Sequence, residues 1–180
     1  MHMKSTHSED NANAGITGST KHHIISRLFK ASKYADGLVS LLSNQSASGA
    51  SNIDLLEARA YAYSLKGAEE FEKHAEGQKS KQSGQENRSW ESCLGHFAAA
   101  RIIYGALLNK TNKDMFKELL AGTIDPSIRY AAYQSNLPRS ISVETVAQRY
   151  FPEEEQKLAA AVKELDASAL KAPDATECKI

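Results

Sequence analysis

Ile24, Leu28, Ala31, Ala35, Leu38 and Leu42 recur at alternating steps of four and three residues. Among regular structures, only an α-helix gathers that spacing onto one side. Helical spacing returns in residues 53–75, through Leu56, Ala60, Tyr61, Tyr63, Ala68 and Phe71. It returns again in residues 90–108, through Trp90, Leu94, Phe97, Ala98, Tyr104 and Leu108. Three long amphipathic stretches and no alternating strand pattern confine the chain to an all-α fold. Aromatic residues make up only 7% of it, which suits closely packed helices better than a sandwich or barrel. At 180 residues the chain can bury one true core.

Local signals place the remaining elements. Residues 44–52 (NQSASGASN) read as a polar linker, and Ser51 with Asp54 three residues on forms a capping box for the second helix. Residues 77–89 have loop composition. Asp125-Pro126 reads as an N-cap followed by proline at the first helical position, opening a short helix through Tyr133. Asn136-Leu137-Pro138 breaks it. Ser142 caps a further helix that stops before Pro152, and a last helix over 153–165 carries Glu153, Glu154 and Glu155 in its first turn, where the helix dipole favours anions. The expected organisation is a disordered segment or loop over 1–20, a helical domain over 21–166 and a polar tail over 167–180. It amounts to an antiparallel array of about six helices.

The central pair has its own signature. Leu65, Gly67 and Phe71 stand where a tetratricopeptide-like first helix needs leucine, a small residue and an aromatic. Cys93, Phe97 and Ala100 give a small–aromatic–small pattern in the partner helix. The interhelix loop is far longer than a standard repeat turn, so a generic antiparallel pair fits as well.

Charge is balanced overall, with 22 basic and 22 acidic residues, whereas nucleic-acid-binding domains usually carry a basic excess. Its distribution is lopsided. Between Lys21 and Lys33 there are four Lys/Arg residues, two histidines and no carboxylate. Acids prevail over 54–76 and in the run 153–155, so a basic patch can sit within a neutral total. On a helical wheel Arg27, Lys30 and Lys33 fall away from the apolar stripe, as phosphate recognition requires. A solvated helix face is the plainer reading of the same residues. Arg101 lies close to the apolar stripe of its helix and is assigned a structural pairing with a carboxylate, Glu57 or Glu69. Arg129 is read the same way.

Catalytic and metal chemistry find no purchase. His22 and His23 are adjacent and diverge by about 100° on a helix. No His-x-x-x-His, Cys-x-x-Cys or glycine-rich phosphate loop occurs. Glu69, Glu70 and Glu72 read as a surface cluster, and Trp90, Tyr61, Tyr63 and Tyr104 as core residues. Cys93 and Cys178 occupy dissimilar surroundings, which argues against a structural disulfide and for a reducing compartment. No run of about 18 apolar residues is present. The expectation is a non-enzyme without cofactor or metal, not inserted in a membrane.

Four blocks carry a family resemblance: KHHIISRLFKASKYADGL, LEARAYAYSLKGAEEFEK, SWESCLGHFAAARIIYGAL and DPSIRYAAYQ. In this order, over roughly residues 21–134, they resemble the 68-kilodalton subunit of the signal recognition particle. The ending YFPEEEQKLAAAVKELD resembles its fungal members. The resemblance implies a tetratricopeptide-like RNA-binding domain that grips the S domain of the particle's RNA near a three-way junction. It also implies co-translational targeting to the endoplasmic reticulum, and a 72-kilodalton partner subunit bound through a region outside this chain. The implied location is cytoplasmic, and nucleolar during assembly. Arg27, Lys30 and Lys33 coincide with basic positions of the family's block and are the expected RNA contacts, with Lys21 behind them. The family's domain opens with arginine-rich helices that have no counterpart here, so the chain is expected to be a fragment. A protein–protein adaptor using the groove between the second and third helices is the competing reading.

Overall fold

The computed structural model describes residues 18–77, 90–152 and 155–170. Among them the chain is helical without strands: α1 (Gly18–Ser43), α2 (Gln45–Ser48), α3 (Asn52–Gly77), α4 (Glu91–Thr111), α5 (Asp114–Leu119), a π-helical turn (Leu120–Ile124), α6 (Asp125–Gln134), α7 (Val143–Tyr150) and α8 (Gln156–Leu165). Because α5, the π turn and α6 run on without interruption, these are seven helical segments against the six expected. The expected segment 1–20 lies outside the described residues except at its end, where α1 begins at Gly18 rather than Lys21. Most of the expected loop 77–89 and tail 167–180 also lies outside.

The capping box is present in both directions. The Ser51 amide donates to Asp54 Oδ2 at 2.8 Å, and the Asp54 amide donates to Ser51 Oγ at 3.2 Å. Those bonds satisfy donors that the first turn of α3 would otherwise leave open. The expected linker 44–52 is not wholly extended, since α2 occupies four of its residues and closes on Gly49 at φ +67, a left-handed position that suits glycine. Ser142 Oγ accepts from the Thr145 amide and starts α7, and Asn136 at φ 59 ends α6, both as expected.

Three local expectations are corrected. Asp125 is no N-cap: it has helical dihedrals, φ −62 and ψ −43, inside a continuous helix. Pro126 cannot donate an amide proton and crowds the preceding turn, and the wider π turn just before it accommodates that defect. The last helix starts at Gln156 and has no acid in its first turn, Glu155 being the flanking residue. Tyr61 is exposed at 51%, on the side of α3 away from the core.

α4 is the centre of the molecule. Leu94, Phe97, Ile103 and Leu107 are buried almost completely, with α3 on one side and α5 to α8 on the others. α3 in turn lies between α1 and α4. The approach of α3 to α4 depends on Gly67: a Cβ there would sit 2.9 Å from the Phe97 ring, and the Cys93 thiol donates to the Gly67 carbonyl at 3.6 Å. Cys93, Phe97 and Ala100 are all buried. The groove between these helices is therefore filled by the chain's own side chains, which counts against the adaptor reading.

Arg101 is structural, but with other partners than expected. Its Nε donates to Asp125 Oδ1 at 3.1 Å and its Nη2 to Glu144, so it ties α4 to the start of α6 and to α7. A hydrogen bond from its own backbone amide, and after it the Arg101 charge, hold the Glu144 carboxyl below its ordinary pKa. Arg101→Leu is expected to cost about 1–2 kcal/mol in urea unfolding, a figure reduced because Glu144 reaches solvent. No change in midpoint would show the pairs to be solvated decoration.

Candidate nucleic-acid interface

The packed face of α1 is rotated by about 50° from the apolar stripe read in the sequence. Ser32 and Ala35 are buried at the seam with α3, whereas Leu38 is 45% exposed. Polar pairs explain the rotation. Ser32 Oγ donates to the Phe29 carbonyl at 2.8 Å and lies 3.4 Å from Glu69 Oε2. Lys66 meets Asp36 at 2.7 Å, and Lys73 meets Glu69 at 2.7 Å and Glu70 at 3.0 Å. Glu69, expected at the surface, is buried at 7% exposure. A seam built on ion pairs and a serine hydroxyl is invisible to apolar spacing.

This rotation fixes where each candidate cation stands. Lys21 falls within the seam, its side chain 13% exposed and 3.9 Å from Glu72. Arg27, Lys30 and Lys33 project into solvent. Among the described residues no carboxylate lies within 4.0 Å of any of the three. Two exposed rings stand beside them, Phe29 at 49% and Tyr34 at 81%. At 100° per residue Arg27, Lys30 and Tyr34 fall within about 60° of one another, in a single row. Lys33 sits over the Phe29 ring, 5.3 Å from its centroid, in a second row. Leu38 and Leu41 prolong the first row as exposed apolar side chains.

The rings were not singled out by sequence reasoning, although Phe29 and Tyr34 lie outside the apolar stripe on the same wheel. Cations interleaved with exposed aromatics can grip a phosphate backbone and stack on unpaired bases.

Behind this face, at the α3–α4 contact, His96 lies beside Tyr63, ring centroids 6.1 Å apart, with Lys66 over the Tyr63 ring at 5.7 Å. Burial first, and the Lys66 charge after it, lower the His96 pKa. The unfolded chain then binds a proton on His96 at a pH where the folded chain still refuses it. The contribution of His96 to stability is full above about pH 6.5, falls as pH drops through the window down to the depressed folded value, and levels off below. His96→Gln is expected to flatten that part of the stability profile in urea melts at a series of pH values. An unaltered slope would show that His96 is not the group responsible.

Against this geometry stand two similarities. A family model described as RNA-binding signal recognition particle 68 matches residues 1–179. The chain belongs to that family. It is also similar to the solved structure of the SRP68-RBD from Chaetomium thermophilum, with 47% identity over 82% of this chain and a TM-score of 0.57. The match spans 63% of that structure's chain. No curated protein matches. The all-helical architecture is thus that of the SRP68 RNA-binding fold. Among the described residues no helix is long and apolar enough to cross a membrane.

Proposed function

We propose that this chain is an RNA-binding scaffold of the signal recognition particle, docking on the S domain of the particle's RNA near its three-way junction. Arg27, Lys30 and Lys33 meet phosphates, Lys21 reinforces the field from behind, and Phe29 and Tyr34 stack on unpaired bases. Shape and backbone contacts set specificity more than base edges do. The observation that carries this reading is the outward face of α1, where two rows of cations have no carboxylate partners among the described residues and each row carries an exposed ring. The chain performs no catalysis. It takes part in co-translational targeting to the endoplasmic reticulum, in the cytoplasm, within a longer subunit whose contact with the 72-kilodalton partner lies elsewhere.

The test is a titration of the chain against the three-way-junction RNA over a salt series. Three phosphate contacts imply a log–log slope of roughly −2 to −3. An affinity indifferent to salt would sink the proposal.

A further inference from the structure

A second cationic site lies away from α1. Arg59 on α3, Lys110 in the last turn of α4 and Lys157 in the first turn of α8 line one cleft of about 260 Å³. Its floor is apolar, with Leu56 and Leu165, and Glu164 is the one carboxylate on its wall. Among the described residues, none of the three cations has an acid within 4.0 Å. Glu155, near the start of α8, is engaged instead by the Tyr63 hydroxyl. Three cations against one carboxylate leave the cleft with a positive excess, and a bound anion relieves the repulsion among them.

The walls are held in place. Leu158 and Val162 anchor α8 with no exposed surface, and Asn109 Nδ2 donates to Asp166 Oδ2 at 2.8 Å, tying the end of α8 to the end of α4. The cleft is therefore preformed. A cationic rim over an apolar floor matches a nucleotide, phosphate on the rim and base or ribose on the floor. Its volume lies below the ~300 Å³ of pockets for larger ligands, which suits one nucleotide.

Its position adds to this. The pairs Lys66–Asp36 and Glu72–Lys21 show that α1 runs antiparallel to α3, so Arg27 to Lys33 lie along the C-terminal half of α3. Arg59 lies in the N-terminal half. At 1.5 Å per residue the two cation groups are roughly 20 Å apart, too far for one phosphate and suited to one continuous stretch of RNA.

We propose that this cleft is a second RNA contact, taking one unpaired nucleotide whose phosphate is held by Arg59, Lys110 and Lys157. The inference rests on the reading of the chain as RNA-binding, and it names a site that α1 does not provide. Two variants of the full chain test it against the three-way-junction RNA. Arg59→Gln/Lys110→Gln/Lys157→Gln removes the charge, and Ala161→Trp fills the cleft while leaving the charge. Thermal unfolding confirms that both remain folded. Each is expected to weaken binding about tenfold, and the first also to make the salt slope shallower by roughly 1, the share of one phosphate. Weakening by the charge variant alone would mean a diffuse field rather than an occupied cleft, and would overturn the proposal. Full binding by both variants would overturn it as well, leaving the α1 reading intact. Loss in the cleft variants with none in an α1 charge variant would leave the cleft standing and remove α1. No binding by the unmodified chain would remove both.

Discussion

Gly67→Val is expected to lower stability by about 3 kcal/mol, and to lower the melting temperature by roughly 10 °C. Helix propensity alone would point the other way, since valine is a somewhat better helix former than glycine. Packing decides the sign. An added Cβ at position 67 meets the Cγ, Cδ1 and Cε1 atoms of Phe97, each at 2.9 Å. Phe97 is itself 2% exposed, so the ring has no free volume to swing into. Cγ also sits close to the α4 backbone, and relief requires the two helices to separate. Phe97→Leu trims the obstacle, so the double variant should lose clearly less than the sum of the single changes. Urea unfolding of the four proteins measures this directly. A neutral Gly67→Val would contradict the close α3–α4 approach on which the whole core depends.

The second large effect concerns the outward face of α1. Reversing Arg27, Lys30 and Lys33 to glutamate should weaken binding to the three-way-junction RNA by two orders of magnitude or more at about 0.15 M salt. Each lost phosphate contact removes its share of counterion release, and each new carboxylate repels the backbone. Stability should hardly move, because all three side chains stand in solvent without acidic partners among the described residues. That separation of affinity from stability distinguishes a binding face from a structural one. Lys21→Ala should behave differently. It removes a partner of Glu72 in the α1–α3 seam, and a surface-type pair of this kind contributes at most about 1 kcal/mol. Undiminished affinity in the triple reversal would move recognition to other parts of the molecule.

Much of this architecture was legible in the residues. The three long helices follow from apolar spacing, Ser51 and Asp54 from their capping box, and the end of α6 from Asn136-Leu137-Pro138. What escaped has physical reasons. Apolar spacing locates a greasy stripe, whereas the buried side of α1 is defined by Ser32, Asp36 and Lys21, polar groups that gain their place only through partners on α3. Asp125-Pro126 carries every mark of a helix start, yet the π turn of Leu120–Ile124 lets the helix run through it. Tyr61 looks like a core residue by composition and is exposed because α3 presents that side to neither α1 nor α4. The candidate cations were read correctly as outward-facing at Arg27, Lys30 and Lys33. The rings of Phe29 and Tyr34 went unnoticed, since apolar spacing marks the stripe that packs and gives no sign of an aromatic displayed outside it.

Site-specific photo-cross-linking tests the central claim most directly. Benzoylphenylalanine at Tyr34, the most exposed ring on α1, is compared with the same group at Glu118 on α5, in complexes with the three-way-junction RNA. Cross-links to unpaired nucleotides from position 34, suppressed by added salt and absent from position 118, are the expected result. Cross-linking from position 118 with none from position 34 would contradict the assignment of the RNA-binding face to α1.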